Sequence, residues 1–129
     1  MSLGRFLQQV VDRSPDEVFI EISGQRHTYR DFHTGVLKTA SLFIQMGVGK
    51  GDRICLFMPN CIEYLYCWFG LSVLGAISVP INTAYKRDET AYILNNAEAV
   101  GLVADPQYVD IAGSAVEVAP SVRYQWLRG

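Results

Sequence analysis

The sequence is poor in charge, cysteine and histidine. Of its 129 residues 19% are charged, against about 25% in an average soluble domain. Half of the residues are hydrophobic, which excludes a disordered tail or a polar linker. Neither sign of charge dominates: 11 Lys and Arg face 13 Asp and Glu, for a net charge of −2. No basic block exists that could track a phosphate backbone, so nucleic acid is not an expected partner. The three cysteines, Cys55, Cys61 and Cys67, are too few for a disulfide scaffold, and their spacing matches no zinc module. They read as reduced core thiols of a cytoplasmic protein. The two histidines, His27 and His33, lack a second pair of ligands nearby and read as surface residues.

The chain opens without the apolar stretch of a signal peptide, and Met1-Ser2-Leu3 reads as a candidate expression scar. One run does imitate a membrane span: Tyr64 to Ile81 is 18 residues without a formal charge. Two glycines and Pro80 interrupt it, its last third is β-rich, and no Lys or Arg cluster flanks it. The expectation is a buried helix running into a buried strand, with no transmembrane span. Peripheral membrane association stays compatible with that reading.

Residues Gly4 to Arg13 read as a short amphipathic helix ended by Ser14-Pro15. Glu17 to Ile22 and Arg26 to Tyr29 alternate around Ser-Gly-Gln as a small hairpin. Thr28 and Asp31 have capping-box spacing. The helix they announce places Phe32, Val36, Ala40 and Phe43 on one face, and Gly47 and Gly49 end it. Four short β-rich runs follow, Ile54–Met58, Ile77–Pro80, Val100–Ala104 and Val122–Leu127, with centres about 23 residues apart. Each gap holds one helix. The first is expected to be capped by Asn60 and Glu63, the second to open at Asp88-Glu89, and the third at Asp105-Pro106. Repeated strand-helix-strand units imply parallel strands joined by right-handed crossovers. The fold class is α/β: an amino-terminal hairpin and helices, then a mostly parallel βαβαβαβ sheet with helices on both faces.

Two features suggest that the chain is not self-contained. The helix from Asn60 to Leu74 is apolar nearly all round, with Glu63 as its only charge, and such a helix is expected to be covered on every side. The last strand alternates Val122, Tyr124 and Trp126, as an edge or half-covered strand does. Bare apolar surface of this kind invites association, so the isolated piece is expected to form a homodimer.

No familiar catalytic motif stands out. Gly47-Val-Gly-Lys-Gly51 has Ile44 where a phosphate loop needs glycine and leads from a helix into a strand, the reverse of the required order. No dinucleotide fingerprint follows any strand, and Ser41, Ser72 and Ser78 have no glycine-framed elbow. Lys86-Arg87 is the only adjacent basic pair, just past the carboxyl end of the Ile77–Pro80 run, where open parallel sheets bind ligands. Two cations there could meet a phosphate or could be a solvated loop pair.

Four segments together carry a family pattern: TYRDF at 28–32, GDRICLFMPN at 51–60, LGAISVPIN at 74–82 and AYILNNAEAVGLVAD at 91–105. In this order the chain resembles the amino-terminal region of the adenylate-forming (AMP-binding) superfamily, over about Leu7 to Gly129. That superfamily contains acyl-CoA synthetases, peptide-synthetase adenylation domains and luciferases. The loop NTAYKRDE is most similar to acyl-CoA synthetases acting on fatty or carnitine-like acids.

The resemblance implies ATP, Mg2+ and coenzyme A as the cofactors of a full-length enzyme. A carboxylic acid would react with ATP to give an acyl-adenylate and pyrophosphate, and coenzyme A would then take the acyl group as a thioester. The family's Ser/Thr/Gly-rich phosphate loop, ribose-binding aspartate and catalytic lysine have no counterpart in residues 1–129, so no catalytic residue is assigned. No cofactor is expected to bind this chain tightly, and the piece alone is expected to be inactive. Some members place an arginine two residues after the asparagine of the VPxN motif, near the nucleotide end of coenzyme A. Ala84 occupies that position here, and Lys86 and Arg87 are the candidates to replace it as coenzyme A phosphate contacts. The alternatives are a free-standing α/β binding module without catalysis and an adenylation domain feeding a carrier protein.

Overall fold

The computed structural model describes residues 3–128. Of the candidate scar, Met1 and Ser2 lie outside the described residues, and Leu3 begins the first helix, α1 (Leu3–Arg13). A hairpin follows, β1 (Val18–Ile22) and β2 (Gln25–Thr28), antiparallel and turning at Ser23-Gly24. Thr28 then caps α2 (Tyr29–Gln45), its side chain accepting the Asp31 N–H at 3.1 Å. Phe32, Val36, Ala40 and Phe43 form the buried face of α2. Spacing alone predicted that face.

The remaining elements alternate: β3 (Arg53–Phe57), α3 (Ile62–Val73), β4 (Ile77–Pro80), α4 (Arg87–Asn96), β5 (Gly101–Ala104), α5 (Val109–Val116) and β6 (Tyr124–Leu127). The four strands form one parallel sheet in the order β4-β3-β5-β6. Ile54, Leu56 and Val103 pack against Phe43 of α2 and Cys67 and Leu71 of α3. Cys55, Phe57, Leu102 and Ala104 face the other way, onto Leu94 of α4 and Ala112 and Ala115 of α5. Alternation along a doubly covered strand requires this division. Beyond the sheet, Leu7, Phe32 and Val36 form a third cluster that attaches α1 and the hairpin to α2 and α3.

Close approach fixes the α2–α3 contact. A Cβ on Gly70 would stand 3.2 Å from the Ala40 nitrogen, and one on Gly35 would overlap the Tyr66 ring. These glycines let two helices with large aromatic side chains meet backbone to backbone.

Several sequence expectations need correction. Asn60 does not cap α3; the cap position is Cys61, without a side-chain bond, because Pro59-Asn60 continues the turn out of β3. Asp105-Pro106 opens a 3-10 turn over Pro106–Tyr108, and α5 proper starts at Val109. The run from Tyr64 to Ile81 is a helix and a strand, but β4 is an edge strand with Ile77 46% exposed, not a buried one. α3 buries Cys67, Gly70 and Leu71 and leaves Trp68 44% exposed, the bare apolar surface expected from its composition. His27 and His33 are half-buried. All three cysteines are free and buried, and no described helix is long and apolar enough to cross a membrane.

Candidate functional site at the carboxyl end of the sheet

The chain leaves β3 toward α3 on one face of the sheet and leaves β5 toward α5 on the other. These two strands are neighbours, so the connections diverge between them and open a crevice, the usual ligand site of open parallel sheets. Four segments converge at this end: Met58-Pro59-Asn60 after β3, Ile81-Asn82-Thr83 after β4, Asp105 after β5 and Arg128 after β6.

The largest opening there, about 600 Å3, lies beyond β3 and β4. Its polar wall is Asn60, Asn82 and Thr83; Tyr64, Tyr85 and Ile93 supply the apolar wall. The Ile81 N–H donates to the Leu56 carbonyl at 2.9 Å, carrying the β3–β4 pairing past the end of β4. The Asn82 side chain then accepts the Ala84 N–H at 2.9 Å and turns the chain around the rim. A second opening of about 290 Å3 separates the hairpin tip (Ile22, Ser23, Gln25) from Pro59, Asn60 and Glu63. Asn60 therefore lines both.

Lys86 and Arg87 are exposed beside this rim and line neither opening; their neighbour Tyr85 lines the larger one. Lys86 holds the cap position of α4 and Arg87 its first turn, where the helix dipole disfavours cations. Arg87 is offset by Asp88 at 3.0 Å. Helix stability therefore does not account for the basic pair. Ala84 is exposed and carries no polar group toward the cleft.

The sequence reading missed a charge cluster at the switch point. The Arg128 Nε donates to Asp105 at 2.6 Å, and another of its nitrogens stands 3.5 Å from Glu63. Burial pushes the Asp105 carboxyl up, but the Gln107 N–H and the Arg128 guanidinium outweigh it and hold the group below the ordinary carboxylate value. The capping role of Asp105 is legible from Asp-Pro. Its partner, 23 positions away, is not.

Burial pushes the thiols of Cys55 and Cys67 up to about 12 and raises that of Cys61, so none is a ready nucleophile at neutral pH. Among the described residues no three His, Cys, Asp or Glu side chains converge to hold a metal ion. At the carboxyl end residues 3–128 offer a cleft with amide, hydroxyl and aromatic walls and two cations nearby.

Comparison with known proteins gives a consistent picture. Residues 7–125 match the AMP-binding enzyme family. The chain is 39% identical over 114 residues to a crotonobetaine/carnitine–CoA ligase of Escherichia coli O139:H28, a match covering 81% of this chain and 22% of that one. A solved Mycobacterium tuberculosis fatty acyl CoA synthetase superposes with a TM-score of 0.90 at 26% identity, over 98% of this chain and 26% of that chain. The inhibitor-bound N-terminal domain of FACL13 from the same organism gives 0.91 at 25% identity, over 98% of this chain and 33% of that chain. The chain spans about a fifth of the length of the curated relatives it matches.

Proposed function

The chain belongs to the AMP-binding enzyme family, and from that premise we propose that it is the amino-terminal part of an ATP-dependent acyl-CoA ligase. Such an enzyme joins a carboxylic acid to coenzyme A through an acyl-adenylate, with ATP and Mg2+ supplying the activation. The part played by residues 3–128 is twofold. The sheet and its two helical layers form a rigid platform, and the carboxyl-end cleft receives one end of coenzyme A. Asn60, Asn82 and Thr83 supply donors and acceptors there, while Tyr64 and Tyr85 supply apolar contact. Lys86 and Arg87 meet phosphate charge arriving at the rim, a role in which Arg can bind in bidentate fashion and Lys as a point charge.

The observation that carries this reading is the placement of the basic pair. Two exposed cations stand at a helix start that disfavours them, one residue past a wall of the largest opening. An anionic ligand is the simplest reason for them to be there. Without a glycine-rich phosphate loop, the isolated chain is not expected to release pyrophosphate from ATP, Mg2+ and a carboxylic acid, and such release would contradict the reading.

The direct test is kinetic, on the full-length ligase. Changing Lys86 and Arg87 together to Ala should raise the KM for coenzyme A and spare adenylate formation. Two lost phosphate contacts are worth about 1–3 kcal/mol in total. An unchanged KM would return both residues to a solvated loop. Thioester formation independent of coenzyme A would point instead to a carrier-protein acceptor.

A further inference from the structure

The two edges of the parallel sheet are not equally guarded. In β4 the Ile77 and Ile81 N–H groups donate inward, to the Asp52 and Leu56 carbonyls at 2.7 and 2.9 Å, so the nitrogens of Ser78 and Pro80 turn to the free edge. Pro80 carries no hydrogen there, and proline is a common guard of exposed edges. In β6 the Tyr124 and Arg128 N–H groups donate inward, to the Val100 and Ala104 carbonyls at 3.1 and 2.9 Å. Alternation then points the N–H and C=O of Gln125 and Leu127 away from the sheet. No proline or bulge interrupts β6.

The side chains beside that edge are apolar on both layers. Leu127 is 60% exposed, and with Gln125 and the exposed Val109 of α5 it borders an opening of about 220 Å3. On the other face the exposed Leu42 of α2 lines a cavity with Trp126. Antiparallel pairing about a twofold axis at Gln125 matches this strand to itself. Gln125 meets the partner's Gln125 as a doubly hydrogen-bonded pair, Tyr124 meets the partner's Trp126, and Leu127 meets the partner's Arg123. Each pair joins residues that face the same layer. A one-residue slip would set the outward groups of Gln125 against inward-turned ones and Arg123 against the partner's Arg128, a like-charge pair. The axis stands perpendicular to the sheet, so each helical layer continues into the same layer of the partner. Bare Leu42, Val109 and Leu127 then turn toward the second copy rather than toward water.

We propose that residues 1–129 form a symmetric dimer in which the free edges of two β6 strands pair antiparallel about Gln125, making one continuous sheet. A second copy is the occupant because β6 complements itself in side-chain face, hydrogen-bond polarity and charge. The pairing is independent of the coenzyme A reading.

Light scattering after size exclusion should give the mass of the 14.4 kDa chain at low concentration and twice that mass as concentration rises. Hydrogen exchange on the unaltered chain should show the Gln125 and Leu127 amides gaining protection over the same range, while the Ser78 amide at the β4 edge does not. Gln125→Pro removes the central N–H and should leave a monomer at every concentration, with the far-ultraviolet circular dichroism of the parent. Leu127→Lys sets a lysine opposite the partner's Arg123 and should weaken dimerisation about tenfold while leaving the main chain unaltered. A monomer throughout, a dimer that both variants leave intact, or protection that rises at Ser78 in place of Gln125 would each overturn the proposal.

Discussion

The two ends of the parallel sheet are built differently. At the amino end, backbone does the work. Gly47, Gly51 and Gly75 adopt φ of 91°, 84° and 73°, a region that L side chains avoid. The turns they make are bonded to each other: the Gly51 N–H donates to the Gly75 carbonyl at 2.9 Å, and the Ile77 N–H to the Asp52 carbonyl at 2.7 Å. Asp52 also accepts the Gly49 N–H at 2.9 Å. At the carboxyl end the strands run out into Pro59-Asn60, Asn82-Thr83, Asp105 and Arg128, whose side chains line openings or form ion pairs. Closure by main chain leaves nothing for a ligand to touch, whereas strand ends that terminate in polar side chains do. Position in the fold thus separates residues that hold the sheet from residues available for binding.

The largest effect is expected where both ends depend on the same layer. Phe57, the last residue of the central strand β3, is fully buried and stacks on Tyr108 at 4.9 Å. Phe57→Ala should cost about 3–5 kcal/mol in chemical denaturation and disturb both ends together. A cost under about 1 kcal/mol would mean that the layer is not shared.

A smaller and one-sided effect is expected at Gly75. Alanine there must hold φ near 73°, which costs about 1–2 kcal/mol, while its Cβ would stand 3.2 Å from the Lys50 Cγ and 3.7 Å from the Lys50 Cα. Gly75→Ala should lower stability by that amount and leave ligand binding at the carboxyl end unchanged. If binding falls in proportion, the two ends are coupled and the division fails.

The smallest effect belongs to acid pH. The Asp105 carboxyl is held below its ordinary value of 3.8. Its contribution to stability is therefore complete above about pH 4 and lost as pH falls through the depressed folded-state value. Thermal melts between pH 2 and 7 should show Asp105→Asn with a flatter acid limb than the parent chain. Superimposable acid limbs would show that the Arg128 pairing adds nothing to folding.

Much of this division was legible in the sequence. Glycines and capping residues act locally, so Thr28, Gly47 and the helix face from Phe32 to Phe43 were readable from spacing alone. The four β-rich runs fell on the four strands to within two residues at either end. Less was legible where an outcome depends on distant neighbours. The edge position of β4 follows from strand order, which no local pattern encodes, so Ile77 read as buried and is exposed. Pro59-Asn60 copies a capping signature while serving as a turn. Asp105 and Arg128 meet only because β5 and β6 pair in register, and the lining of the cleft likewise needs β3 beside β4. Lys86 and Arg87 were picked out from their position after a strand, and the structure puts them beside the largest opening without lining it.

The central claim is that the carboxyl end of the sheet is where this chain meets its ligand. The most direct measurement is an amide chemical-shift map of the 15N-labelled chain, titrated to millimolar concentration with 3′-phosphoadenosine 5′-diphosphate, the nucleotide end of coenzyme A. The account expects weak, saturable shifts at Asn60, Asn82, Thr83, Tyr85, Lys86 and Arg87, and none at the Gly47–Gly51 and Gly75 turns. Shifts centred on those turns, or an unperturbed cleft at the highest ligand concentration, would contradict it.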